Sequence, residues 1–376
     1  MTGAAGEDFA NWCATFHQRA LAVGIAPAAA AALLTLRPLP EALAKDRAQT
    51  EFTLTLGDYL DRVLTPARIT EGRAALARHA SLFARIKGRF GVEPALLAAI
   101  WGIETSYGQN RGTLRLLPAL ATLAHDGRRA AFFEGECLAA LRLAAHCGFD
   151  PAQLTGSWAG ASGHMQFMPS SILAHALDFD GDGRIDLWSD DPADALASAA
   201  AYLAHHGWQA GQPALTLAHL PAGFDPAQTG KDHLRPLADW RADGLTFDQT
   251  GANHPAALLL PAGINGPAFL WHHNARCLLR YNAADAYVLA VARLADHLAG
   301  HTPPALVWPE DDRALTLAER INLQEGLTAA GFDTGPADGR IGPNTVQALK
   351  GWQKANGLPA DGHASAALLD RLGQKG

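Results

Sequence analysis

Glu104 is the carboxyl best suited to acid–base chemistry, in the run Trp101-Gly102-Ile103-Glu104-Thr105-Ser106-Tyr107-Gly108. It closes a segment that is apolar from Pro94 to Ile103. Proline is tolerated in a first helical turn and glycine often stops a helix, so the spacing predicts a helix from Pro94 that stops at Gly108. A carboxyl among Trp, Ile and Tyr loses hydration, and the negative end of a helix disfavours its ionised form. Both effects raise a pKa. A proton held near neutral pH is what a general acid needs. Taken alone, the same run also fits an ordinary glutamate at a helix end.

A second segment runs Gly156-Ser157-Trp158-Ala159-Gly160-Ala161-Ser162-Gly163-His164-Met165-Gln166-Phe167-Met168-Pro169. Its small residues let backbones approach closely, and Ser157 and Gln166 are polar groups in a tight stretch. By itself it would pass for a glycine-rich packing turn. A third segment, Arg280-Tyr281-Asn282-Ala283-Ala284-Asp285-Ala286-Tyr287, opens a late helix. The ordered strings WGIETSYG, SWAGASGHMQFMPSS, DFDGDGRIDLW and RYNAADAY resemble the membrane-bound lytic murein transglycosylase B family, over about residues 7 to 300.

The resemblance implies a mainly α fold: a lysozyme-like catalytic core with a small inserted lobe containing some β-structure. It makes Glu104 the only catalytic carboxylate, whereas ordinary glycosidases use two. No second acid lies in the cleft motifs except Asp285, which is assigned to the helix surface. By this implication the substrate is the peptidoglycan glycan strand, cut between N-acetylmuramic acid and N-acetylglucosamine with 1,6-anhydromuramyl ends, and the chemistry needs no cofactor. Ser157 and Gln166 match positions that contact the sugar and the developing charge. Tyr281, Asn282 and Tyr287 match groups that line the opposite wall. Arg128 and Arg129 match a basic pair that could reach peptide carboxylates, or form a solvated face. Tyr107, Tyr59 and Tyr202 sit in family-like segments, and the last two fit core positions equally well.

Asp178-Phe179-Asp180-Gly181-Asp182-Gly183-Arg184-Ile185-Asp186 follows the calcium-loop template. Asp178, Asp180 and Asp182 stand at ligand positions, Arg184 offers a backbone carbonyl, and Gly183 makes the turn. The last ligand position holds Ser189, and Asp190 comes one residue late. The expectation is one weak structural calcium or sodium ion in the 178–190 loop; the alternative is an acidic turn without an ion. The similar family carries an EF-hand-like site here. The pairs His205-His206 and His272-His273 lack the spacing of a helical zinc site.

Helices must position these groups. Phe9, Trp12, Phe16 and Ala20 recur at helical spacing, as do Ile69, Leu76, Phe83 and Phe90 with Ile86. Residues 207–270 are richer in proline and glycine and read as the inserted lobe, with Ala256 to Leu260 a short apolar piece. The expected domains are 1–300 catalytic, 301–314 linker and 315–376 C-terminal. The last part resembles a three-helix peptidoglycan-binding module, carried by Asn322-Leu323-Gln324, Asp338-Gly339-Arg340-Ile341-Gly342-Pro343 and Gly357-Leu358-Pro359-Ala360-Asp361-Gly362. Leu317, Ile321, Gln324 and Leu327 mark its first helix. Such a module raises effective substrate concentration; a helical cap on the main domain is the other reading. The string Asp-Gly-Arg-Ile occurs at both Asp182 and Asp338.

The gross numbers fit this picture. A length of 376 residues suggests two or three domains. A net charge of −7 speaks against a nucleic-acid partner. No run approaches the roughly 18 apolar residues of a membrane span. Residues 1–9 show neither a basic nor an apolar signal region. The substrate nonetheless lies in the periplasm or cell envelope, where a monomer is expected. Cys13, Cys137, Cys147 and Cys277 lack metal spacing and read as buried free thiols; export would permit one or two disulfides. Two other functions stay open: a muramidase that hydrolyses the same bond with water, and a noncatalytic peptidoglycan-binding scaffold.

Overall fold

The computed structural model describes residues 8–48, 54–148, 150, 153–248, 253–310 and 312–373. Seventeen α-helices and seven short strands form among them, so the chain is mainly α as expected. It divides into two units, residues 1–50 with 66–206, and residues 51–65 with 207–376.

In the first unit the Phe9–Ala22 helix buries the stripe the spacing marks: Phe9, Trp12, Phe16 and Ala20. The stripe from Ile69 to Phe90 belongs to two helices, Pro66–Arg78 and Ala80–Phe90. His79 breaks it, with φ −108 and ψ 25 outside the helical region. Both helices pack on the Pro94–Thr105 helix, which has Leu97, Ala98, Ala99 and Ile100 fully buried. The Leu116–Asp126 and Ala130–Cys147 helices pack against each other beside it. Each fully buried Leu or Ile here contributes about 1.5–3 kcal/mol. That is the rigid floor on which the last turn of Pro94–Thr105 stands.

In the second unit the inserted lobe is an antiparallel five-stranded sheet. In spatial order its strands are Leu234–Pro236, Pro255–Leu259, Ala268–Trp271, Leu215–His219 and Thr246–Phe247. The apolar piece at Ala256 is an inner strand, with Ala256, Ala257 and Leu258 buried. Prolines sit at the Pro236–Pro255 pair, at a strand end where no ladder donor is lost. Trp240 fills the lobe's core, its Nε1–H donating to the Ala256 carbonyl at 2.9 Å. The Leu56–Val63 helix packs on the Asp285–Leu298 helix.

The C-terminal helices are Leu317–Ala329, Pro343–Ala355 and Ala366–Gly373. Thr316 and Glu319 form a capping box on the first, and Pro343 opens the second as expected. The first helix buries Leu323, Gln324 and Leu327, while Leu317 remains 43% exposed and covers Gly339. The buried face therefore lies one turn further along than Leu317 and Ile321 suggest. This bundle also grips the lobe. The buried Lys350 ammonium donates to the Thr229 carbonyl, to Thr229 Oγ1 at 3.2 Å and to the Ala227 carbonyl at 3.4 Å. Asp361 accepts the Ile264 N–H at 3.0 Å.

All four cysteines are buried free thiols, as their spacing suggests. Burial lifts Cys13 and Cys147 to about 11, which makes both poor nucleophiles.

Candidate active site

The helix carrying Glu104 ends at Thr105, short of the expected Gly108. Ser106 (φ 49), Tyr107 (φ 58) and Gly108 (φ 88) then run left-handed in succession. Two of the three are not glycine, and each such residue costs about 1–2 kcal/mol. The surroundings enforce the turn. Tyr107 is buried, its hydroxyl donates to the Arg68 carbonyl at 2.9 Å, and its ring edge meets Trp101. Burial holds its phenol well above the usual range. A Cβ on Gly102 would lie 2.6 Å from the Tyr107 ring, so only glycine fits beneath it. Tyr107 thus acts as a wedge under the turn. Glu104 is half-buried on the final turn.

The second motif folds back on itself through the bridges Gly156–Ser162 and Ser162–Phe167. Ser157 Oγ accepts the Ala161 N–H at 3.1 Å. Gln166 is left-handed (φ 49), and its amide donates to the Arg111 and Gly163 carbonyls at 3.1 and 3.0 Å. A Cβ on Gly112 would lie 2.2 Å from the Gly156 carbonyl carbon, so the segment after Glu104 and the motif touch backbone to backbone.

His164, between these two segments, is a residue that sequence reasoning missed. It is 3% exposed. Trp101 Nε1–H donates to its Nδ1 at 3.2 Å, and its Nε2 lies 2.7 Å from the Ser189 carbonyl. Thr105 Oγ1 donates to the His164 carbonyl at 2.7 Å and accepts the Gly108 N–H at 3.0 Å. Arg111 donates to the Trp188 carbonyl at 2.8 Å and the Ser189 carbonyl at 2.5 Å, and pairs with Asp190 at 2.9 Å. The one sequence signal is a glycine, Gly108, where the imidazole is wedged; a Cβ there would lie 2.5 Å from it.

The remaining first-unit residues are placed as follows. Arg128 pairs with the buried carboxylate of Asp46, and Arg129 lies over Phe132 at 4.3 Å. Tyr202 is half-buried among Phe167, His175 and His206. In the second unit Tyr281 and Tyr287 stack with planes 8° apart and centroids at 6.3 Å. Tyr287 is buried; Tyr281 is half-buried. Asn282 is exposed and accepts the Ala284 N–H at 3.1 Å. Asp285 pairs with Lys231, and Tyr59 is half-buried on the Leu56–Val63 helix.

In the acidic loop, one oxygen each of Asp178, Asp180 and Asp182 lies within 4.8 Å of the others. Asp178 accepts the Gly181 and Gly183 N–H groups at 2.6 and 2.9 Å, and Asp182 accepts Arg184 N–H at 2.8 Å. The buried Asp194 holds the loop from below, accepting Phe179 N–H at 2.7 Å and Asp186 N–H at 2.9 Å. Burial raises its pKa. Three converging carboxylates suit a hard, oxygen-seeking cation. Asp190 is turned to Arg111 instead.

Comparison with known proteins names the class. The transglycosylase SLT domain family matches residues 8–296, and the peptidoglycan binding domain family matches residues 316–372. The chain belongs to the transglycosylase SLT domain family. It is 37% identical to membrane-bound lytic murein transglycosylase B of Escherichia coli over 249 residues, 64% of this chain and 66% of that protein. SltB3 of Pseudomonas aeruginosa, solved with NAG-anhNAM-pentapeptide, matches at 42% identity and TM-score 0.93, covering 98% of this chain and all of that one. E. coli lytic transglycosylase Slt35, solved with calcium, matches at 32% identity and TM-score 0.68, covering 80% of this chain and 95% of that one. These likenesses bear out the lysozyme-like fold and the family resemblance.

Proposed function

We propose that this chain is a lytic transglycosylase of peptidoglycan, with Glu104 as its one acid/base. It cleaves the β-1,4 bond between N-acetylmuramic acid and N-acetylglucosamine and leaves 1,6-anhydromuramyl ends. One observation carries this: a half-buried carboxyl on the last turn of a buried apolar helix, followed at once by three left-handed residues. Strain of that kind gathers at functional sites, where the surroundings over-determine it.

Glu104 gives its proton to the glycosidic oxygen, and the C1–O bond breaks. The carboxylate then takes the proton of the muramyl C6 hydroxyl, whose oxygen bonds to C1. No water is consumed, so one carboxyl serves both steps. Ser157 and Gln166 hold the sugar and the developing charge, with Tyr107 shaping the turn behind Glu104. We assign Tyr281, Asn282, Tyr287, Tyr59 and Tyr202 to sugar contacts, and Arg128 and Arg129 to peptide carboxylates. Asp178, Asp180, Asp182 and the Arg184 carbonyl would hold a calcium or sodium ion, which would brace the loop and take no part in the chemistry. The relative solved with calcium supports that reading.

The domain division is 1–300, 301–314 and 315–376, with the last part holding the polymer. The site of action is the periplasm or cell envelope, and the enzyme works as a monomer. No helix among the described residues is long and apolar enough to cross a membrane.

Mass spectrometry of fragments released from murein sacculi tests the proposal. Products lighter by one water than hydrolysis products are expected, and Glu104→Gln should bind sacculi but release nothing. Reducing muramyl ends would mean hydrolysis. Binding by the unsubstituted chain without release would mean a scaffold.

A further inference from the structure

We propose that His164 is a positioning residue for Glu104, locked as one neutral tautomer that ties the helix end to the far end of the acidic loop. This rests on the reading of Glu104 as the acid/base.

The tautomer follows from the partners. An indole N–H can only donate, so His164 Nδ1, 3.2 Å from Trp101 Nε1, must be bare. A backbone carbonyl can only accept, so Nε2, 2.7 Å from Ser189 O, must carry the proton. One form satisfies both. An imidazolium would set N–H against N–H at Trp101; the Arg111 guanidinium, 3.2 Å from Nε2, can only donate and gives its hydrogens to the Trp188 and Ser189 carbonyls instead. The charged groups around the ring are Arg111, Asp190 and Asp186, with His79 across the Trp101 ring. Burial outweighs the two carboxylates, so the imidazole's pKa is lowered.

The position matters because of what it joins. Through its carbonyl, His164 fixes Thr105, the residue after Glu104. Through Nδ1 it fixes Trp101, one turn earlier on the same helix. Through Nε2 it holds Ser189, and Arg111 clamps residues 188 to 190 alongside. A displacement at the loop's end therefore reaches Trp101 through the ring and Thr105 through the backbone of the same residue.

The first test is nitrogen NMR of 15N-histidine-labelled protein from neutral pH down to about pH 5. His164 should show a protonated Nε2 and a bare Nδ1, with no titration near the usual value of about 6.5. Ordinary titration, or the opposite tautomer, overturns the proposal.

The second test compares fragment release with sacculus binding. His164→Phe keeps the ring shape and loses both bonds; turnover should fall roughly ten- to a hundredfold with binding unchanged. His164→Asn keeps an acceptor for Trp101 and should recover part of the loss. Wild-type turnover and pH profile in His164→Phe would overturn the positioning role. If that variant does not fold, the NMR result on the unsubstituted protein decides. If the unsubstituted protein itself releases no fragments, it is the transglycosylase reading that fails, and the tautomer still settles the lock.

Discussion

The string Asp-Gly-Arg-Ile folds twice in this chain, once in the acidic loop and once in the C-terminal bundle. Locally the two copies agree. Gly183 (φ 86) and Gly339 (φ 75) are both left-handed. Asp182 and Asp338 each accept the N–H of the arginine two residues on, at 2.8 Å. Their neighbours differ. Asp182 is joined by two further carboxylates. Beside Asp338 stands the buried amide of Gln324, which accepts the Gly339 N–H at 2.7 Å and donates to the Arg340 carbonyl at 3.1 Å. Four residues dictate the turn; the surroundings decide whether it gathers negative charge or closes on itself with neutral groups.

The largest expected effect that would sharpen this contrast is on the closed copy. Gln324→Ala leaves buried partners unsatisfied and should cost about 2–3 kcal/mol in denaturant unfolding. The loss should be the same with and without calcium; a calcium-dependent loss would erase the distinction.

Calcium should act only on the open copy. A tenfold excess over Kd should stabilise the protein by about 1.4 kcal/mol, read as a rise in Tm. Asp180→Asn should remove most of that rise and Asp338→Asn none of it.

The paired glycines come next. Alanine at Gly183 meets nothing within 4 Å, so only its left-handed backbone costs, about 1–2 kcal/mol. Alanine at Gly339 would also press on Leu317 Cδ1 at 2.4 Å, the movable end of a side chain. Gly339→Ala should unfold slightly more easily, by a few tenths of a kcal/mol. Equal midpoints would show that Leu317 yields freely.

The smallest effect is one of pH, and its sign differs between the copies. The Arg340 N–H holds Asp338 below the usual carboxylate range. Its contribution is present above the ordinary range and is lost as pH falls through the lowered folded value. Asp194, under the acidic loop, is raised by burial. Its contribution is complete in acid and is lost as pH rises through the raised folded value. Amide-exchange protection at Arg340 should therefore fall on acidification, while the stability lost through Asp194 as pH rises in calcium-free buffer should be read in the unfolding midpoint, because the ionised Asp194 is the better acceptor for the Phe179 and Asp186 N–H groups. Movement in the same direction would contradict the assignment.

Much of this was legible in the residues, for physical reasons. Glu104 stood out because a carboxyl closing an apolar helix is rare, and the loop because its carboxylates keep ligand spacing. The break at His79 was hidden, since the apolar period runs on across it. Glycine is the usual left-handed residue, so the sequence points to Gly108 as the helix stop; tertiary packing of Tyr107 on Trp101 and Arg68 imposes that conformation earlier. His164 was invisible because its partners Trp101 and Ser189 come from distant segments, and no local spacing records them. In the lobe the strand at Ala256 showed as an apolar run, but its pairing order follows from packing around Trp240.

The Lys350 contact has a consequence for anyone exchanging parts between such enzymes. The linker at 301–314 looks like the natural place to cut. Severing it would strip an ammonium of three oxygen partners and leave the oxygens of Ala227 and Thr229 without their donor. The engineerable cassette is thus lobe plus bundle, and a chimaera that transplants the bundle alone should need a lobe able to receive its lysine.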